Sequence, residues 1–373
     1  MLRVCHVIPA LGPGGAERVL ADLTNAPSAR VAHSIIAMTA DSPAYQFRSP
    51  VFSLGLQRGK VRATSVRALR STIRRERPSV VHGWLYHGCL ATAFLYDLGL
   101  PIVWSIHNST LSKQHSKWTT RAINRVCAVL SARIPKAIAY CAHTARRVHE
   151  EIGYSRERGC VIANGIEADT FAFDASARRS LRAELGVDDG KVLVGSIARY
   201  DPQKDFATVL EAFARFARGA RAALALVGTG CDPGNAELQG LVRKFSVEND
   251  TILLGQRRDI QSIMSALDIL VVGSAFGEAL PMVVLEAAAV GLHVVTTDVG
   301  DTPDLMLDRR LVVPIKDPAA LAAAMGTVQE MRGTLRGRDL IEQRKALVAQ
   351  QHNLADMVAR YDDLYQRIAR DGG

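Results

Sequence analysis

Two pairs of charged residues have the types and spacing to do chemistry. Arg199 and Lys204 stand five positions apart in "ARYDPQKDF", and Glu278 and Glu286 stand eight apart in "GEALPMVVLEAAAVG". Two cations on one loop suit a diphosphate, each charge-assisted contact contributing about 1.5–3 kcal/mol. The acids need another reading. Pro281 fits the first position of a helix and Gly291 its C-terminal cap. Glu278 then belongs to the loop before that helix, and Glu286 to its first turns, roughly 7.5 Å along the axis. The amides near Leu280 to Val283 are expected to form an anion site at the helix start. A carboxylate beside a phosphate site is useful if it grips hydroxyl groups, which sugars and ribose present. The plainer alternative is a capping acid followed by a helix acid paired with a basic neighbour.

Further candidates lie in the first half. "GPGGAER" (Gly12 to Arg18) follows a strand and opens a helix. Its glycines would let backbone amides approach a phosphate at a helix N-terminus, or simply make a tight turn. The spacing is not that of a dinucleotide fingerprint. "HGWLYHG" and "WSIHNS" bring His82, His87 and His107 after two strands. No acid lies in these loops and no zinc spacing is present, so a metal is not expected. His107, at a strand end, is the candidate ligand contact. His82 and His87 read better as packed or capping side chains. "NGIEADTF" reads as a turn and hinge that docks Phe171.

Strands must position these loops. "RVCHVIPA", "HSIIAMT", "SVVHGWL", "PIVWSIHN" and "KAIAYCA" are strand-like, and helical stretches separate them. The alternation restarts with "KVLVGSIARY" and runs through "AALALVGTG", "TILLG", "ILVVGS", "HVVTTDVG" and "RLVVPI". The expected fold class is α/β, with two Rossmann-like, doubly wound parallel sheets facing a cleft. Residues 1–172 form the first domain, 173–351 the second, and 352–373 a terminal amphipathic helix expected to return to the first. Ligands of open parallel sheets bind beyond the carboxyl ends of the strands, where the loops above lie.

Composition agrees with a globular chain. Of 373 residues, 48% are hydrophobic and 22% charged, so a compact core is within reach. No apolar run approaches the ~18–20 residues of a membrane span. The N-terminus reads as a first strand and not as a signal peptide. Six scattered cysteines without a C-x-x-C suggest a reduced, cytoplasmic compartment with neither disulfide frame nor zinc site. The net charge of +9 is uneven: residues 1–172 hold 22 Lys/Arg against 10 Asp/Glu. That half implies an anionic partner such as nucleic acid, anionic lipid or a phosphorylated ligand, or else a solvated basic surface.

Taken together, "GPGGAER", "WLYHG", "WSIHNS", "RRVHEEIGY", "VIANGIEADTF", "ARYDPQKDF", "LVGTG", "LLGQRRDI", "GEALPMVVLEAAAVG" and "TTDVGD", in this order, resemble the retaining glycosyltransferase family 4 with the GT-B fold. The likeness spans nearly the whole chain and is greatest to bacterial members that build surface polysaccharide or lipopolysaccharide. It implies a nucleotide-sugar donor, UDP- or GDP-linked, and a saccharide or lipid-linked acceptor. Gly14 and Gly15 would lie against the donor diphosphate, which Arg199 and Lys204 would neutralise. Glu278 would hold hydroxyls of the donor sugar, with Ala279, Leu280, Pro281 and Met282 following it on phosphate or sugar. Glu286 would hold the ribose, Arg257 would lie near the base, and His107 would contact the sugar near the reacting centre. No cofactor or metal is implied, because cations and helix ends carry the electrostatic work. Retention by same-face attack, with a leaving phosphate oxygen taking the acceptor's proton, fits the lack of a dedicated general base.

Three positions depart from the family. Ala279 stands where glycine is usual, which predicts a differently set loop. Asp205 also replaces a common glycine, and His293 a common proline. The basic stretches "QRGKVRATSVRALRSTIRRERP" and "SKQHSKWTTRAINR" suggest a peripheral place on the inner face of the cell membrane, with no specific nucleic acid partner. The rival readings are a GT-B nucleotide-sugar enzyme of another type, such as an epimerase, and a basic nucleic-acid- or partner-binding protein with a decayed site.

Overall fold

The computed structural model describes residues 1–57, 63–111, 114 and 116–370, with the backbone alone at Ala63. Arg58, Lys60, Arg62 and Lys113 of the basic stretches lie outside the described residues. The chain divides into two compact units, Met1–Gly165 with Leu354–Gly373, and Ile166–Asn353. The first unit ends seven residues before position 172. The short turn Ala168–Phe171 belongs to the second unit, where it packs on the helix that carries Glu286.

In the first unit the order is β1 (Leu2–Ile8), α1 (Gly15–Asn25), β2 (Val31–Thr39), β3 (Val51–Leu56), α2 (Ala63–Glu76), β4 (Val80–Trp84), α3 (Leu85–Ala93), β5 (Ile102–Ile106), α4 (Trp118–Leu130), β6 (Ala137–Tyr140), α5 (His143–Glu151) and β7 (Gly159–Val161). The strands are parallel, in the order β3-β2-β1-β4-β5-β6-β7. The central strands are apolar and buried on both faces, as a sheet covered by helices on both sides requires. Two glycines of "HGWLYHG" serve packing. A Cβ on Gly88 would meet the Val7 carbonyl oxygen at 2.4 Å, and one on Gly83 the Cα of Cys89 at 2.9 Å. Their absence lets α3 lie directly on β1 and β4.

The second unit runs α6 (Ala175–Glu184), β8 (Val192–Ile197), α7 (Phe206–Ala217), β9 (Ala222–Val227), α8 (Ala236–Lys244), β10 (Thr251–Gly255), α9 (Ile260–Ala266), β11 (Ile269–Val272), α10 (Met282–Val290), β12 (His293–Thr297), β13 (Val312–Val313), α11 (Pro318–Met331) and α12 (Leu335–Gln351). Its parallel sheet has the order β10-β9-β8-β11-β12-β13. The core on one side joins Val194, Val209, Phe213, Leu224, Val271 and Met325. Asp268, at the start of β11, accepts from Arg178 (2.7 Å), Arg332 (2.8 Å), Arg182 (3.1 Å) and the Leu193 amide (2.8 Å). This buried carboxylate ties α6 and α11 to the sheet, its own charge satisfied by four donors.

The final helix, α13 (Leu354–Arg370), belongs to the first unit, where it packs on α1 and β4. Its inner face buries Met357, Tyr361, Leu364, Tyr365 and Ile368 at the i, i+4, i+7, i+8 spacing of an amphipathic helix. Strands β3 and β7 and helices α5, α11 and α12 go beyond the elements read from sequence. β3 alternates exposed and half-buried residues, and α12 is polar, so neither has a strong apolar pattern.

Candidate functional site

Strand order reverses in each sheet beside its first strand, between β1 and β4 and between β8 and β11. At such a point the two loops leaving neighbouring strands run in opposite directions and open a crevice.

In the second unit the loops after β8 and β11 carry the charged candidates. Lys204 donates to Glu278 Oε1, closing an ion pair between the two loops. The same oxygen accepts from Ser274 Oγ at 2.8 Å and Gln203 Nε2 at 3.2 Å. Gln203 Oε1 in turn accepts from Arg199 Nη2 at 3.4 Å, and Arg199 Nε donates to Asp201 at 3.3 Å. Arg199, Gln203, Glu278 and Lys204 are therefore one connected array. Sequence reasoning found its charged members and missed Gln203 and Ser274. Both were within reach, one adjacent to Lys204 and the other at the end of β11, four residues before Glu278.

Local backbone geometry sets this array. Asp201 caps a short turn by accepting from the Gln203 amide at 2.9 Å. Asp205 follows in the left-handed region (φ 44°, ψ 57°), and its carboxylate accepts from the Thr208 amide and hydroxyl at the start of α7. Left-handed backbone explains why glycine suits this position, and a short acid that caps the helix can substitute. The Glu278 loop answers the Ala279 expectation. The left-handed residue is Gly277 (φ 79°), while Ala279 is absent from the positive-φ residues. Alanine imposes no such strain there. Ala279 is buried, and its carbonyl accepts from the Asp301 amide at 2.8 Å. Gly300 (φ 69°) makes that approach, since a Cβ there would lie 2.3 Å from the Ala279 oxygen.

Pro281 is the N-cap of α10, one residue earlier than expected, and Met282 begins the helix. Proline supplies no N–H in either place, so the shift costs no hydrogen bond. Leu280 and Met282 are buried beside it. Glu286 is the fifth residue of α10 and is buried, in a helix whose other residues are apolar. Arg257 is held elsewhere, by both oxygens of Asp259 (2.8 and 2.7 Å) and by Glu184 (3.2 Å). These acids raise its pKa further, and none of them belongs to the Glu278 array. His293 begins β12 and is buried; burial, with Arg344 and Arg332 nearby, pushes its pKa down to about 4.

The first unit brings neutral groups to its own reversal point. Gly14 caps α1 in extended backbone (φ −155°), and Gly15 begins the helix. Glu17 folds back over Gly14, where a Cβ would lie 2.2 Å from its Oε2. A carboxylate thus already stands at the start of α1. At the end of β4, Trp84 donates its indole N–H to His6 Nδ1 at 3.0 Å. An indole only donates, so His6 carries its proton on Nε2 and donates to His33 Nδ1 at 2.9 Å. His82 lies between Tyr365 (2.7 Å) and Ser105 (2.7 Å) in the core, the packed role read from its sequence. His107 stacks on Trp84, with ring centroids 5.1 Å apart and planes 15° apart, and its buried Nε2 has no hydrogen-bond partner among the described residues. Burial pushes the pKa of His107 and His33 down to about 4, and those of His6 and His82 well below the usual value. His87 is half-buried, its pKa lowered by burial and by Lys117.

Comparison with known proteins now has a geometry to meet. Residues 13–170 match the family model for Glycosyltransferase Family 4, and residues 191–330 that for Glycosyl transferases group 1. The chain is 28% identical over 311 residues to EpsF of Bacillus subtilis (strain 168), which carries a glycosyltransferase name, covering 79% of each chain. It is 29% identical over 307 residues to a glycogen synthase of Mycobacterium tuberculosis (strain CDC 1551 / Oshkosh), covering 79% of this chain and 71% of that one. Among solved structures, Anabaena Alr3699/HepE in complex with UDP superposes with a TM-score of 0.83 at 21% identity, over 98% of this chain and 100% of that one.

Proposed function

We propose, for a chain that is a glycosyltransferase with the GT-B fold, that it moves a sugar from a UDP- or GDP-linked donor to a saccharide or lipid-linked acceptor, retaining the anomeric configuration. The observation that carries this reading is the connected array of Arg199, Gln203, Lys204 and Glu278 at the β8/β11 reversal. It combines cations for a diphosphate with an acid for hydroxyl groups. In the reaction the bond from the anomeric carbon to the diphosphate oxygen breaks as the acceptor oxygen bonds to the same face of that carbon. The acceptor's proton passes to the departing phosphate oxygen, and Arg199 and Lys204 stabilise the charge left there. Glu278 holds donor-sugar hydroxyls and Glu286 the ribose. His107, neutral at pH 7, meets the sugar as a hydrogen-bonding imidazole. No metal is assigned a role.

The HepE structure is a complex with UDP, which favours UDP as the base carrier here. The role is in surface polysaccharide or lipopolysaccharide synthesis, in the cytoplasm at the inner face of the membrane. No described helix is long and apolar enough to cross a membrane. Calorimetric titration with UDP, GDP and ADP tests the reading. UDP is expected to bind most tightly, and Glu286→Ala to weaken it about tenfold with an unchanged melting temperature. Equal, negligible affinity for all three nucleotides overturns it.

A further inference from the structure

We propose that the outer face of α4 is the surface by which this chain docks on an anionic lipid bilayer. The inner face of the helix is already satisfied, with Asn124, Cys127 and Ala128 buried and α3 packed against it. Its outer face carries large apolar side chains in water. Trp118 is 73% exposed, Val129 79% and Val126 45%. With Ala122 these positions fall at i, i+4, i+8 and i+11, one stripe of a helix. Apolar side chains exposed along one stripe, where folding does not need them, mark an interaction surface.

Charge selects the partner. No Asp or Glu occurs between Asp97 and Glu150, a stretch holding eight Lys and Arg. Lys117 precedes the helix, Arg125 stands within the stripe, and Arg133 follows its end, all three exposed. Helix α3 contributes no acid. The Gly153–Tyr154 turn touches the buried side of α4 through Ala128 and Asn124, and Glu150 before it is paired with Arg146 at 2.6 Å. A tryptophan and valines ringed by cations match a bilayer interface, where acyl chains take the apolar stripe and anionic headgroups the cations. The proposal rests on the lipid-linked acceptor of the proposed function for its purpose and not for its test, which uses no nucleotide sugar.

The test is vesicle binding by the full chain, phosphatidylglycerol with phosphatidylcholine against phosphatidylcholine alone. Trp84 and Trp104 are fully buried, so a change of emission on binding reports Trp118. Expected are sedimentation with the anionic vesicles, a blue shift, and quenching by bromine-labelled acyl chains. Val129→Asp and Arg125→Glu are each expected to weaken binding about tenfold without lowering the melting temperature, since both side chains are exposed. Binding that leaves Trp118 emission unchanged, binding unaltered by Val129→Asp, or no binding to either vesicle overturns the proposal. A chain that binds UDP yet ignores vesicles refutes the docking face alone. One that binds vesicles but no nucleotide refutes the donor site alone.

Discussion

The two strand-order reversals share a topology and differ in chemistry. Between β8 and β11 charged groups meet: Arg199, Lys204 and Glu278, linked through Gln203. Around β1 and β4 the buried groups are neutral, Trp84, His6, His33 and the stacked His107, and the Glu17 carboxylate at the start of α1 is the exception. A charge leaving with a diphosphate calls for fixed charges nearby, whereas buried imidazoles, His6 among them fixed by a donor-only indole, work as neutral hydrogen-bonding groups. The same sheet plan therefore supports an ionic cluster in one unit and a largely neutral, aromatic one in the other.

The largest expected effect separates the units by pH. His33, His107 and His149 in the first unit have pKa values pushed down to about 4, below the ~6.5 of an unfolded histidine. Between these values the unfolded chain binds protons that the folded chain refuses. Stability is thus fully present above about pH 6.5 and falls as pH drops toward 4, by up to about 2 kcal/mol per group at pH 5. In the second unit His293 is such a group. All three tryptophans belong to the first unit, so their emission follows it selectively. The tryptophan-monitored melting temperature should fall between pH 7 and 5 by several degrees more than that of calorimetric melting assigned to the second unit. Equal falls would erase the contrast.

Next in size is Lys204→Ala, which removes a charge-assisted bond and leaves the Glu278 carboxylate without its ammonium. UDP affinity by calorimetry should drop about 10- to 100-fold, with pH-dependent melting of the first unit unchanged. The smallest effect sharpens the loop assignment. Ala279→Gly should alter stability by less than about 1 kcal/mol and UDP affinity by less than about threefold, because Gly277 and Gly300 take the left-handed positions. A large gain in affinity would mean that Ala279 does restrict the loop.

The same contrast decides what was legible in the sequence. Arg199, Lys204 and Glu278 are charged residues on loops after strands, and few structural roles compete for that pattern, so the second site could be read almost directly. The uncharged members escaped because glutamine and serine are ordinary in loops. In the first unit the histidines were ambiguous. The spacing of His6, His33 and His82 on β1, β2 and β4, and of His107 just after β5, carries no local signal, and only strand order brings them together. The turn at Asp205 shows the converse: a residue other than glycine holds the left-handed backbone that glycine readily provides.

The return of α13 to the first unit has a consequence for synthesis on the ribosome. Tyr365 supplies a hydrogen bond to His82, and Tyr361 one to Ser105, from the far end of the chain. Everything from Ile166 to Asn353 must be translated before those tyrosines exist. The half of the protein made first is therefore the half completed last, and until then its histidine-lined core stands open to solvent and to chaperones.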